Sequence, residues 1–197
     1  MRFNLILVDV PWSYRNKNTG GSMKSGASYV YGADNKYSTM SMDELKELPI
    51  DKISSKNAVM FFWVTTNMQK EAMDIIDIWG FTYKTKIYWY KKYGGNKMGM
   101  GFWYRNAVEE LWICVKGNIK AFHYQKPNIM TLNVSKHSEK PEEFRKLIMK
   151  STANIKHRRK LELFGRKLVR GWKVIGYEID GLDIREALKQ LYNVTTI

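Results

Sequence analysis

Short apolar runs alternate with amphipathic helical stretches along this chain. An α/β layered domain around a largely parallel sheet is what such an order can form. Phe3 to Val8 opens the series as an apolar strand, and Ala58 to Val64, Tyr83 to Tyr90, Glu109 to Val115, Leu161 to Phe164 and Trp172 to Gly176 read as further strands. Ser41 and Glu44 make a capping box for a short helix that turns Met42, Leu45 and Leu48 inward before Pro49. Asn67 is expected to cap a helix from Met68 to Trp79, whose Ala72, Ile75, Ile76 and Trp79 share one face and which Gly80 stops. Pro141 suits the first helical position ahead of Glu142 and Glu143, with Phe144, Leu147 and Ile148 facing the core. Asp183 caps a last helix bearing Ile184, Leu188 and Leu191.

Where the first strand runs out stands Asp9-Val10-Pro11-Trp12. Ligands of open α/β sheets gather outside the carboxyl ends of strands, which is where this tetrapeptide falls. A carboxylate, a stiff backbone with a fixed carbonyl, and a flat ring suit a planar base carrying an exocyclic amine: the first two accept from the amine and the ring stacks on the base. An ordinary strand exit has the same residue types, because Pro breaks pairing and Asp favours turns. The tetrapeptide alone does not choose between the two.

Charge and aromaticity narrow the partner. Lys and Arg outnumber Asp and Glu by 33 to 19, a net charge of +14, and 14% of residues are aromatic. A basic, aromatic-rich domain suits a polyanion with stackable bases, so nucleic acid leads over a merely soluble basic surface. At 197 residues the chain reads as one domain, 1–197, able to bury about 70% of its unfolded surface. Cys114 is the sole cysteine and lies in an apolar run, which points to a buried thiol, no disulfide framework and the reducing cytoplasm. No segment has the length and apolarity of a membrane span, and Met1-Arg2-Phe3 enters a strand without a leader pattern.

Other chemistries lack their signatures. Neither G-x-x-x-x-G-K-[ST] nor G-x-G-x-x-G occurs, and His123, His137 and His157 lie too far apart for a zinc site, so no metal is expected. Two polar, glycine-bearing stretches, residues 13 to 38 and 91 to 106, read as binding loops. They carry Arg15, Lys17, Lys24, Lys91, Lys92, Lys97 and Arg105, expected to meet the nucleic-acid backbone or to stand as solvated loop charges.

From residue 9 onward the chain resembles the MT-A70-like adenine methyltransferases. The landmarks run in that family's order: Asp9-Val10-Pro11-Trp12, Tyr37-Ser38-Thr39-Met40-Ser41, Phe61-Phe62-Trp63-Val64-Thr65, Trp79-Gly80-Phe81 and Gly101-Phe102-Trp103-Tyr104-Arg105-Asn106. Glu109, Val115-Lys116-Gly117, His137-Ser138-Glu139-Lys140-Pro141 and Arg159-Lys160-Leu161-Glu162-Leu163-Phe164-Gly165-Arg166 complete them. The resemblance spans about Phe3 to Asp180. It implies a Rossmann-like class I methyltransferase fold in permuted order, with the catalytic motif ahead of the cofactor motif, and S-adenosylmethionine as methyl donor to the 6-amino group of adenine.

The same resemblance implies residue roles. Asp9, Val10, Pro11 and Trp12 would be catalytic, Asp9 also touching the cofactor. Lys140 would meet the methionine carboxylate; Phe164, Gly165, Arg166, Tyr177 and Glu178 would line the rest of the cofactor site. Tyr37, Arg105, Asn106 and Glu109 would contact substrate. Three features depart from relatives: Val10 stands where Pro is usual, only Met1 and Arg2 stand where eukaryotic relatives carry an extra strand ahead of the catalytic one, and Tyr177-Glu178 replaces the Asn-Gln of some relatives. The compact form looks like bacterial or phage members acting on DNA, which makes a site-specific adenine DNA methyltransferase the leading expectation. RNA methylation and a non-catalytic nucleic-acid-binding subunit are the alternatives, and both a homodimer and a partner subunit stay open.

Overall fold

The computed structural model describes residues 1–13, 39–93, 103–120, 122, 124–134 and 139–193. Seven strands form one sheet: β1 (Phe3–Val8), β2 (Ser54–Thr65), β3 (Thr82–Lys92), β4 (Val108–Lys116), β5 (Ile129–Asn133), β6 (Lys160–Leu163) and β7 (Lys173–Ile175). Their spatial order is β5-β3-β4-β2-β1-β6-β7. β1 pairs in parallel with β2 and β6, β6 with β7, and β3 with β5, while β4 runs antiparallel between β2 and β3. The sheet is thus mostly parallel, as the alternation of elements requires.

Among the described residues six helices accompany it: α1 (Met42–Lys46), α2 (Ile50–Ile53), α3 (Gln69–Ile78), α4 (Glu142–Ser151), α5 (Tyr177–Asp180) and α6 (Ile184–Asn193). Alternation along the strands feeds two cores. Ile6, Val8, Met60 and Phe62 join Leu45, Ile75, Trp79 and Leu188 on one face. Leu5, Leu7, Phe61, Trp63, Leu111 and Ile113 meet Phe144 and Ile148 of α4 on the other. β1 is buried on both sides, which is why it reads as a continuous apolar run.

Several local expectations hold and some shift. Ser41 and Glu44 form a full capping box. The Asp183 carboxylate accepts from the Arg185 N–H at 2.8 Å, capping α6. Asn67 does not cap α3: a 3-10 turn, Thr66–Met68, intervenes, and the helix starts after Met68 with no side-chain cap. β5 carries no strong strand signal in the sequence; its burial merely alternates at the edge of the sheet. Cys114 is fully buried, and burial pushes its thiol up to about 12, leaving it inert at neutral pH. Among the described residues no helix is long and apolar enough to cross a membrane.

Candidate active site

The strand period decides where the acids point. Leu5 and Leu7 face α4, so Asp9, two residues further, emerges on that face just past the end of β1. On β4, Leu111 and Ile113 face α4 as well, and Glu109 shares their side. Lys140 immediately precedes Pro141, the cap of α4, and reaches between the two carboxylates. Its Nζ donates to Asp9 Oδ1 at 2.9 Å and Oδ2 at 2.8 Å and lies 3.1 Å from Glu109 Oε1. The second Glu109 oxygen pairs with Lys91 Nζ at 2.9 Å, and the Trp63 ring lies beneath the Lys140 ammonium, 5.3 Å from its centre. Lys140 is therefore not a solvated helix-start lysine: its side chain is 15% exposed.

The two acids differ in electrostatic state. Burial pushes the Asp9 carboxyl up; Lys140 pulls it back and the neighbouring Glu109 charge raises it again, leaving it above the usual range. Burial also raises Glu109, but Lys140 and Lys91 together overcome this and hold it below the usual range. Burial works against the Lys140 cation, while Asp9 and Glu109 outweigh it and keep the amine firmly protonated. Glu109 has two ammonium neighbours and Asp9 has one. The asymmetry leaves Asp9, 36% exposed, as the carboxylate open to a ligand and Glu109, 8% exposed, as its buried counterpart.

β6 lies against β1 with Val8 opposite Leu163, so Phe164 and Gly165 follow directly beside the end of β1. Phe164 adopts φ +62°, a left-handed conformation that non-glycine residues enter at a cost of about 1–2 kcal/mol. At Gly165 a Cβ would come within 2.3 Å of Val174 Cγ1, and at Gly176 within 2.0 Å of the Gly165 carbonyl oxygen. Close packing of the β6 and β7 exits therefore accounts for both glycines. Arg166 Nε and Glu178 Oε1 lie 3.7 Å apart across these exits, and the Tyr177 ring beside them is exposed. Asp9, Lys140, Phe164, Arg166, Tyr177 and Glu178 are thus gathered along one end of the sheet, outside the carboxyl ends of β1, β6 and β7.

Residues 3–178 match the MT-A70 family. The chain belongs to that family. MT-A70 proteins are adenine-N6 methyltransferases. The chain is 27% identical over 188 residues to the type II methyltransferase M.MunI of Mycoplasma sp, covering 90% of this chain and 78% of the relative. It is 24% identical over 203 residues to the human N(6)-adenosine-methyltransferase catalytic subunit METTL3, covering 97% of this chain and 31% of the relative. An MT-A70-like N(6)-adenosine-methyltransferase of Arabidopsis thaliana is 22% identical over 200 residues and is covered for 26% of its length. The chain therefore spans about a third or less of these plant and human relatives.

Placed on this MT-A70 chain, the remaining motif residues divide. Val10 and Trp12 continue the alternation on the face opposite Asp9, and both are buried in the α1–α3 core. The Trp12 indole is 5% exposed and packs on Phe62 with ring centres 5.9 Å apart, so the open stacking face expected for it is not presented. The Val10 carbonyl accepts from the Trp12 N–H at 3.0 Å, one of the two hydrogen bonds a carbonyl oxygen can accept. The Pro11 carbonyl accepts from Met40 N–H at 3.0 Å, tying together the chain on either side of residues 14–38. Tyr37 lies outside the described residues. Arg105 is exposed and Asn106 half-buried in the segment leading into β4.

Lys91 is the correction. Assigned from the sequence to a loop meeting nucleic acid, it lies in β3, which continues to Lys92, and its ammonium is committed to Glu109. The period could have shown it: Lys91 follows buried Trp89 by two residues and so shares its face.

Proposed function

We propose that this chain transfers the methyl group of S-adenosylmethionine to the 6-amino group of adenine in DNA, in the cytoplasm. The observation that carries the reading is the Asp9–Lys140–Glu109 cluster at the carboxyl end of β1, within a chain of the MT-A70 family.

The donor set suits the cofactor. Asp9, Glu109, Lys140 and Lys91 sum to zero charge, with the least compensated carboxylate, Asp9, facing outward. A net positive ligand bearing an ammonium, a carboxylate and a sulfonium finds there a carboxylate for its cations and the edge of the Lys140 ammonium for its anion. Glu178 offers acceptors to ribose hydroxyls, and Arg166, Tyr177 and Phe164 flank the same end of the sheet. When bound, S-adenosylmethionine supplies an electrophilic methyl group on a sulfonium.

The protein's share is orientation and charge placement. The adenine amine is a poor nucleophile because its lone pair is delocalised into the ring. Asp9 and the Val10 carbonyl each accept one amine hydrogen, which draws the nitrogen toward tetrahedral geometry. Once the methyl group had left its sulfur for the amine nitrogen, that nitrogen would carry an acidic proton, and Asp9, whose carboxyl is held above the usual range by burial, would accept it. Lys140 fixes the carboxylate and Lys91 fixes Glu109 behind it. Trp12 holds the strand exit from the core side.

A duplex base cannot reach Asp9 while stacked, so the target adenine must be flipped or single-stranded. DNA is favoured by the coverage of the type II methyltransferase relative, 78% against 31% for the human subunit. Incubation with isotopically labelled S-adenosylmethionine and separate DNA and RNA pools, followed by nucleoside mass spectrometry, tests the reading. Labelled N6-methyldeoxyadenosine is expected. Label in N6-methyladenosine alone would reassign the substrate to RNA, and label in neither would favour a non-catalytic binding subunit.

A further inference from the structure

α4 and the connection between β6 and β7 border an open groove of about 500 Å³. Met149 and Trp172 form its apolar base, and Lys146, Lys150, Lys160 and Arg170 stand around it. None of these four cations has an ion pair or side-chain hydrogen bond among the described residues. The one acid lining the groove, Glu142, is paired with Arg145 at 3.3 Å, and Arg145 also binds Glu162. The groove therefore carries four uncompensated positive charges. Lys146 and Lys150 lie one helical turn apart, a like-charge arrangement that weakens an isolated helix slightly. A solvated helix face ordinarily mixes both signs, and here cations outnumber the single acid around an aromatic.

The groove shares one lining residue with a small cleft bordered by Asp9 and Lys140. Arg145 lines both, and its guanidinium sits 5.5 Å from the centre of the Trp172 ring in the groove. From there the cations follow α4 toward Lys160, which begins β6 at the end of the strand remote from Phe164. On α4 itself Lys146 and Lys150 are separated by about 6 Å of helix rise, and Lys160 and Arg170 add cations from β6 and from the connection after it. Four cations spread over three segments match a line of phosphates better than they match a single small anion.

We propose that this groove binds the phosphate backbone of the substrate DNA to one side of the target adenine. The inference rests on the DNA reading above and names a contact surface for it apart from the cleft.

The test is a Lys146→Glu/Lys150→Glu variant, both residues exposed on the helix and apart from the catalytic cluster, with a Lys146→Arg/Lys150→Arg control. Circular dichroism confirms the fold. Binding to duplexes of about 30 and about 8 base pairs is followed by fluorescence anisotropy over a salt series, without cofactor. Affinity for the long duplex is expected to fall about tenfold or more, with the salt dependence losing about one unit of slope per lysine, while the short duplex changes less than about twofold. The arginine control keeps wild-type binding. Unchanged affinity for the long duplex, or the same loss on both lengths, overturns the proposal. Because binding is read without methyl transfer, a protein that methylates nothing yet loses long-duplex affinity in the variant refutes the enzyme reading and leaves the groove standing. Normal methylation of DNA with unaltered binding refutes the groove alone.

Discussion

The Nζ of Lys140 lies 2.8 and 2.9 Å from the two carboxylate oxygens of Asp9, although 131 residues separate them. The pair joins the end of the first strand to the start of α4, and Glu109 closes it from a third segment at 3.1 Å from the same ammonium. One cation between two acids makes each acid's role depend on what else it touches.

Asp9→Asn separates activity from stability. Methyl transfer should fall by about two to four decades, as for loss of a proton-accepting, charge-placing group. The folded protein holds the Asp9 carboxyl above its usual range, so the ionised form is relatively unfavourable in the fold. The neutral variant should therefore be at least as stable as wild type at pH 7. Thermal unfolding and turnover measured on the same sample check this; an active or markedly destabilised variant contradicts the assignment.

Glu109 has the opposite sign. Its carboxyl titrates lower in the fold than in the unfolded chain, so its ionisation stabilises the protein above the unfolded value of about 4.3. That contribution is lost as pH falls through the folded value. Urea midpoints of wild type and Glu109→Gln should differ most near pH 7 and draw together as the pH falls below the unfolded value. Parallel curves across that range would show that Lys91 and Lys140 do not act through this charge.

Lys140→Met removes the shared cation and leaves two acids facing each other. Breaking a buried pair costs about 3–5 kcal/mol, and the partial exposure of Asp9 places this variant at or below the lower end. The loss should shrink in acid, where both carboxyls protonate. Cofactor affinity by calorimetry should also fall, by roughly 1.5–3 kcal/mol for loss of a charged hydrogen bond. Unchanged affinity would confine Lys140 to positioning Asp9.

Trp12→Ala should act through the core. Truncating a buried aromatic costs about 3–5 kcal/mol, and Trp12 packs on Phe62 at 5.9 Å. Trp12→Phe should recover much of the stability and the activity. A stable Trp12→Ala protein with only a raised substrate Michaelis constant would instead mean that the indole meets the base.

Much of this architecture was legible in the sequence because it rests on local chemistry. The capping box at Ser41, the Gly80 stop, the apolar run of β1 and the acidic exit at Asp9 each follow from neighbours within a few residues, and so does the α/β layering they imply. The order of motifs also carried the resemblance that the match over residues 3–178 bears out. β5 and the start of α3 were less legible: an edge strand has only half a pattern, and a 3-10 turn displaced the cap expected at Asn67.

What only tertiary structure decided is which charges share a space. Lys91, Glu109, Lys140 and Asp9 come from four segments, and sequence spacing says nothing about the sheet order that places β1, β3 and β4 beside the start of α4. The period of two then turns Asp9 toward that cluster and Trp12 away from it. A motif gives residue types in a row; the pleat of a buried strand assigns them to opposite faces, because successive side chains leave the backbone on opposite sides and each must pack against whatever layer lies there.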